Sequence, residues 1–213
     1  MKRAGPSTLR GAPNRACTPL APKIEGMRIV VLVSGTGSNL QAVIDEVASG
    51  SLPLEIAAVG ADRPNTFGVE RSADAGLDTF VVNFKDYTDR SDWDAALLEK
   101  VGSYKPDYVV SSGFMRIVAP SFINAFEGRY VNTHPALLPA FPGAHGVRDA
   151  MAYGVKVTGC TVHFADAGVD TGPIIAQTPV AILPDDTEDS LHERIKVAER
   201  ELLIKVLGDL ARA

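Results

Sequence analysis

A chain of 213 residues, 46% hydrophobic and 22% charged, is long enough for one sizeable core or at most two small ones, and its composition is that of an ordinary globular protein. No apolar run approaches the roughly 18 residues of a membrane span, and Cys17 and Cys160 show neither metal-ligand spacing nor a disulfide framework. A reduced, cytoplasmic setting with no membrane partner is therefore expected. Residues 1–26 hold Lys2, Arg3, Arg10, Arg15 and Lys23 against Glu25, a net of +4, which subtracted from the total of −5 leaves −9 for residues 27–213. A domain so acidic lacks the clustered Lys and Arg of a phosphate-backbone tracker, so no nucleic-acid partner is expected and any anionic ligand must be met by local geometry.

Residues 1–26, with four prolines, three glycines and no periodicity, read as a disordered N-terminal extension. They have no apolar h-region and so are not a secretory signal. The functional domain is expected over 27–213, and deletion of 1–26 is expected to leave activity intact. Arg28–Val33 is a β-branched strand running into Ser34-Gly35-Thr36-Gly37-Ser38-Asn39-Leu40, and Gln41–Ser49 continues with apolar residues at helical spacing. Strand, glycine loop and helix together aim backbone N–H groups and a helix dipole at an anion. Gly35 and Gly37 allow close ligand approach, and Ser38 or Asn39 can cap the helix. The alternative is a plain tight turn.

Leu54–Val59 is a second strand, followed by a helix over Phe67–Ala75 that ends at Gly76. Thr79–Val82 is a third strand, and Asp92–Gly102 a helix with Trp93, Ala96, Leu97 and Val101 on one side. Asp107–Ser111 is a fourth strand. The apolar stretch Phe114-Met115-Arg116-Ile117-Val118 after it either walls a pocket or packs in the core. Ser121–Phe126 is a short helix, Tyr130–His134 a fifth strand and Val147–Tyr153 a helix closed by Gly154. Two β-rich runs, Val155–Phe164 and Pro173–Val180, flank the long loop Ala165–Gly172. The last element is an amphipathic helix from about Thr187 to Leu207, with Leu191, Ile195, Ala198, Leu202 and Val206 inward and Asp185-Asp186-Thr187 at its cap. Alternating β and α elements imply a parallel sheet with helices on both faces.

The chemistry concentrates in Asn132-Thr133-His134-Pro135. Strand periodicity puts Asn132 and His134 on one face, at the carboxyl edge of a sheet where open α/β folds place ligands. Pro135 and Pro139 stiffen the exit. Asp170 is the natural carboxylate partner, able to orient an imidazole and stabilise its charged form while Asn132 donates to a developing oxyanion. The alternative is that Asp170 only caps a turn. His163, in an apolar strand, reads as structural, His192 as solvated, and His145, in a glycine-rich loop, as a ligand contact at most. No HxH, HExxH or GxSxG pattern occurs, so neither a metal nor a serine nucleophile is expected. Leu40 stands where a dinucleotide fingerprint wants a small residue, although Asp62 could hold a ribose. Asn, His and Asp without a covalent nucleophile suit direct attack of a substrate amine on a carbonyl.

The segments SGTGSNLQ at 34–41, GFMRIV at 113–118, NTHPALLP at 132–139, FPG at 141–143 and VDTGP at 169–173 resemble the folate-dependent formyltransferases, in order from Met27 to about Leu207. The NxHPxLLP and DxGP pair is specific to that superfamily, and SGxGSNLQ points to its branch acting on glycinamide ribonucleotide. The resemblance implies an α/β fold: a Rossmann-like, mostly parallel twisted sheet with helices on both faces, C-terminal antiparallel strands and a long terminal helix. It implies formyl transfer from 10-formyltetrahydrofolate, a cosubstrate, to the amine of glycinamide ribonucleotide in purine biosynthesis, by a monomer or homodimer without metal. It assigns catalysis to Asn132, His134 and Asp170, and ribonucleotide phosphate and ribose binding to Gly35, Thr36, Gly37, Ser38, Asn39 and Glu199. It assigns folate binding to Arg90, Phe114, Met115, Arg116, Ile117, Val118, Ala165, Asp166, Ala167, Gly168 and Val169, with Arg90 and Arg116 near the glutamate tail. Ala136, where the family often has Ser, is expected to be neutral. Rival readings are a formyltetrahydrofolate hydrolase, which calls for a regulatory domain larger than 26 residues, a tRNA-directed formyltransferase, which calls for a basic surface, and a non-catalytic nucleotide-binding module.

Overall fold

The computed structural model describes residues 26–213. The expected extension 1–26 therefore lies, except for Gly26, outside the described residues. Seven strands form one sheet in the order β3-β2-β1-β4-β5-β6-β7: β1 (Met27–Val33), β2 (Leu54–Ala61), β3 (Thr79–Val81), β4 (Tyr108–Ser111), β5 (Tyr130–His134), β6 (Val157–Phe164) and β7 (Ile174–Ala181). β1 pairs in parallel with β2 and β4, as do β2 with β3 and β4 with β5. β6 and β7 are antiparallel to their neighbours. The mostly parallel α/β architecture with C-terminal antiparallel strands is thus the one the alternation and the resemblance imply.

Helices cover both faces because the central strands are apolar on both sides, as buried parallel strands are. On one face α1 (Ser38–Ser49) and the terminal helix α6 (Glu188–Leu210) bury Leu40, Val43, Leu191, Ile195 and Leu203 against Val31 and Val33 of β1. On the other, α3 (Arg90–Ser103) and α4 (Pro120–Ala125) bury Trp93, Leu97, Val101 and Phe122 against Val30 and Leu32. α2 (Phe67–Asp74) and α5 (Gly146–Tyr153) complete the shell. α6 starts as expected at Thr187, in a capping box with Ser190, while Asp186 pairs with Arg194. A single-turn 3₁₀ helix, Phe84–Asp86, has no periodicity to announce it. Among the described residues no helix is long and apolar enough to cross a membrane.

Candidate active site

The strand order reverses between β1 and β4, the place where open α/β sheets leave a crevice at the strands' carboxyl ends. A cavity of about 600 Å³ opens there, lined by Gly35–Asn39 after β1, Ser111–Val118 after β4, Asn132–Pro135 on β5, Ala165–Asp170 of the β6–β7 loop, and His192, Lys196 and Glu199 of α6. Of the residues singled out in the sequence, Arg90 stands outside this lining. Its Nε bonds Asp94 at 2.9 Å, and its guanidinium reaches the carbonyl of Ile117, bracing the wall segment through its backbone. His145 is exposed at the start of α5 and also outside the lining, although its neighbours Gly143 and Ala144 belong to it.

The glycine loop differs from expectation in its cap. Neither Ser38 nor Asn39 caps α1; the N-cap is Gly37 in the left-handed region, φ 67°, with no side-chain cap bond. The first-turn N–H groups are therefore claimed by no side chain and face the cavity end that suits an anion. Asn39 instead donates to Glu199 Oε1 at 2.8 Å, and Thr133, on the opposite side of β5 from Asn132 and His134, donates to the same oxygen. Glu199, buried within the apolar stripe of α6, thus ties the glycine loop, β5 and the terminal helix together. Asn39 Oδ1 and Ser112 Oγ, both in the lining, are buried with no partner among the described residues, so the wall has hydrogen-bonding capacity to offer a polar ligand.

At the centre of the cavity His134 lies between two acceptors. Its Nε2 is 2.8 Å from the carbonyl of Phe141, and its Nδ1 is 3.3 Å from Asp170 Oδ2. A carbonyl and a carboxylate can only accept, so the pairing is complete when the ring carries both protons. Asp170 also accepts from the Gly143 N–H at 2.8 Å, so it does more than cap its own turn. Burial alone would raise its carboxyl; the His163 imidazole, the Gly143 N–H and the charge of His134 outweigh that and hold it below the usual carboxylate range. The loop that carries it is closed by Asp166, which accepts from Gly168 N at 3.0 Å and Thr171 Oγ1 at 2.7 Å.

His163 needs correcting. It is buried, as a structural histidine would be, yet it is cross-strand partner to Asn132 and sits 3.2 Å from Asn132 Nδ2 and 3.6 Å from Asp170 Oδ1 through Nε2. Its Nδ1 is 3.0 Å from the Phe164 carbonyl. Nδ1 donates to that carbonyl, so Nε2 has two roles: in the neutral ring it accepts one N–H of Asn132 and leaves the second for a ligand, and in the charged ring it donates to Asp170. His192 is likewise half-buried on the cavity side of α6 rather than plainly solvated. Cys160 takes no part: burial, with the charge of Glu199, pushes its thiol up to about 12.

Among the described residues, an amide, an imidazole and a carboxylate converge beside the glycine loop. That defines a group-transfer centre in which one bound substrate attacks another. The chain belongs to the formyl transferase family, whose model matches residues 27–207. It is 54% identical over 184 residues to a phosphoribosylglycinamide formyltransferase of Mycobacterium tuberculosis, covering 86% of this chain and 85% of that protein. It is 39% identical over 182 residues to the Escherichia coli protein of the same name, covering 85% and 86%. A glycinamide ribonucleotide transformylase from Symbiobacterium toebii superposes with a TM-score of 0.85 at 43% identity over 88% of each chain.

Proposed function

We propose that this protein transfers the formyl group of 10-formyltetrahydrofolate to the amine of glycinamide ribonucleotide, a step of purine biosynthesis. The observation that carries the reading is the order of parts along one cavity: anion loop, then Asn132, His134 and Asp170, then the apolar wall Phe114–Val118 facing the Ala165–Val169 loop. The ribonucleotide phosphate is held by the first-turn N–H groups of α1, and its ribose lies beside Glu199. The flat pterin, with its polar edges, is held between the wall and the loop. The substrate amine then reaches the formyl carbon next to Asn132.

The neutral amine forms the new C–N bond, and negative charge develops on the formyl oxygen. The free N–H of Asn132 donates to that oxygen, and the doubly protonated ring of His134 contributes its charge, held in place by Phe141 and Asp170. The bond to the folate nitrogen breaks, and the proton lost by the amine moves to that nitrogen. Ionised Asp170 sits beside the proton's path. Folate release is assayed spectrophotometrically from 10-formyltetrahydrofolate, with and without glycinamide ribonucleotide. Release that requires the ribonucleotide supports the transferase; equal release without it makes the protein a hydrolase and overturns the reading. His134→Ala is expected to cut turnover about 10²–10⁴-fold, and near-normal turnover would remove His134 from the mechanism.

A further inference from the structure

The chemistry above leaves unused a buried carboxylate on the far side of the glycine loop. Asp62 follows β2 at the same carboxyl edge of the sheet and is 1% exposed. It accepts from Arg116 Nε at 2.8 Å through Oδ2, and from Arg63 Nε and Nη2 at 3.2 and 3.3 Å. Its carbonyl takes the Phe84 N–H at 3.0 Å, which brings the Phe84 ring under Arg116 with its guanidinium carbon 4.2 Å from the ring centroid. The Ser34 hydroxyl, which helps hold the carboxyl low, accepts the Met115 N–H at 2.9 Å. Ser34 opens the glycine loop, and Met115 and Arg116 belong to the apolar wall, so one carboxylate joins the two ligand-facing segments.

We propose that Asp62 is a positioning residue for the folate end of the cavity: it holds the Arg116 guanidinium over the Phe84 ring, with both Nη groups left for the anionic tail of the cosubstrate. The geometry separates this role from that of a plain ion pair. Arg116 bonds Asp62 through Nε alone, so the bidentate edge that fits a carboxylate stays free. The pair is completed by Arg63, half exposed, so one negative charge is set against two positive ones. The cluster keeps a net positive charge on an otherwise acidic domain, at the cavity's rim. Burial alone would raise the Asp62 carboxyl, but the two guanidiniums and Ser34 hold it low, so the anchor stays ionised wherever the enzyme works. A long flexible arginine fixed before the ligand arrives spares the ordering cost on binding.

The inference rests on the folate reading of the cavity. Turnover of the unsubstituted protein on both substrates tests that reading; the comparison of variants tests Asp62. KM for 10-formyltetrahydrofolate as mono- and triglutamate, KM for glycinamide ribonucleotide, and kcat are measured for Asp62→Asn, Arg116→Ala and the double variant. Asp62→Asn is expected to raise the folate KM about tenfold, the order set by freeing one rotamer-rich side chain, with kcat and the ribonucleotide KM within about twofold. The double variant is expected to be no worse than Arg116→Ala alone. Single effects that multiply, or kcat and both KM values moving together, would overturn the proposal. Should Asp62→Asn fail to fold, Arg116→Lys decides. Lysine can reach Asp62 but cannot also present a fork, so the folate KM should rise as for Arg116→Ala, and a normal KM would refute the role.

Discussion

Gly68, in the first turn of α2, holds the glycine loop, and Gly68→Ala tests whether packing there sets ribonucleotide affinity. Its N–H donates to the Gly35 carbonyl at 3.1 Å, and three residues on Arg71 Nε donates to the Thr36 carbonyl at 2.9 Å. A methyl at Gly68 would lie 2.8 Å from Val33 Cγ2, against an ordinary contact of 3.4 Å or more, so helix or loop must yield by about 0.6 Å. Val33 is fully buried and β-branched, so it has little freedom to turn away. Overpacking of this kind costs about 1–3 kcal/mol, of which better helix propensity returns about 1 kcal/mol, leaving a net loss of about 0–2 kcal/mol. A displaced loop that loses one N–H contact to a phosphate forfeits about 1.5–3 kcal/mol, which is about 10–100-fold in affinity. Thermal melts give the stability, and steady-state kinetics with each substrate varied give the affinities. The expected result is a lower melting temperature with a raised KM for glycinamide ribonucleotide and little change for the folate. An alanine variant that melts normally and keeps its ribonucleotide KM would refute the link between α2 packing and the loop.

Asp170→Asn keeps a residue that tolerates the left-handed backbone, φ 55°, and should lower kcat by about 10²-fold or more; a loss under threefold would count against it. Because the folded Asp170 carboxyl lies below its ordinary 3.8, its stabilising effect is full above that pH and is lost as the pH falls through the lower folded value. Urea midpoints should thus show the parent's advantage over Asp170→Asn at pH 7 shrinking by pH 3, and an advantage that grows in acid would be the wrong sign. Glu199→Gln should raise the ribonucleotide KM about tenfold, since the buried amide replaces an acceptor that serves Asn39 and Thr133 with one that also needs partners of its own. An unchanged KM would reduce Glu199 to packing.

Local signals made the elements legible. β-branched runs ending in Gly or Pro marked β1, β2 and β5, and the 3.6-residue stripe of Leu191, Ile195, Leu202 and Val206 marked α6 to within a few residues at its end. Period 2 sufficed to put Asn132 and His134 on one face, because alternation is a property of the strand alone. The loop motif marks Asp170 as a carboxylate partner and the resemblance adds Glu199; no spacing argument links them to His134, 36 positions before Asp170, or to Thr133, 66 before Glu199.

What the sequence alone determined, then, is the set of elements and the α/β class, since each depends on periodicity or on a contiguous motif; it also put forward Asn132, His134 and Asp170, which line one cavity. The tertiary structure decided what depends on register and crossing. Only the antiparallel pairing of β5 with β6 puts His163 opposite Asn132, so a histidine in an apolar strand becomes part of the site. Only the packing of α6 across the sheet brings Glu199 to Asn39 and takes that amide away from its expected capping role. And only the side-by-side parallel strands β2, β1 and β4 bring their carboxyl ends together, so that Asp62 meets Arg116, 54 residues later, across the glycine loop. Strand order carries no local signal: it is fixed by which apolar faces bury one another, and that is settled by the whole chain at once.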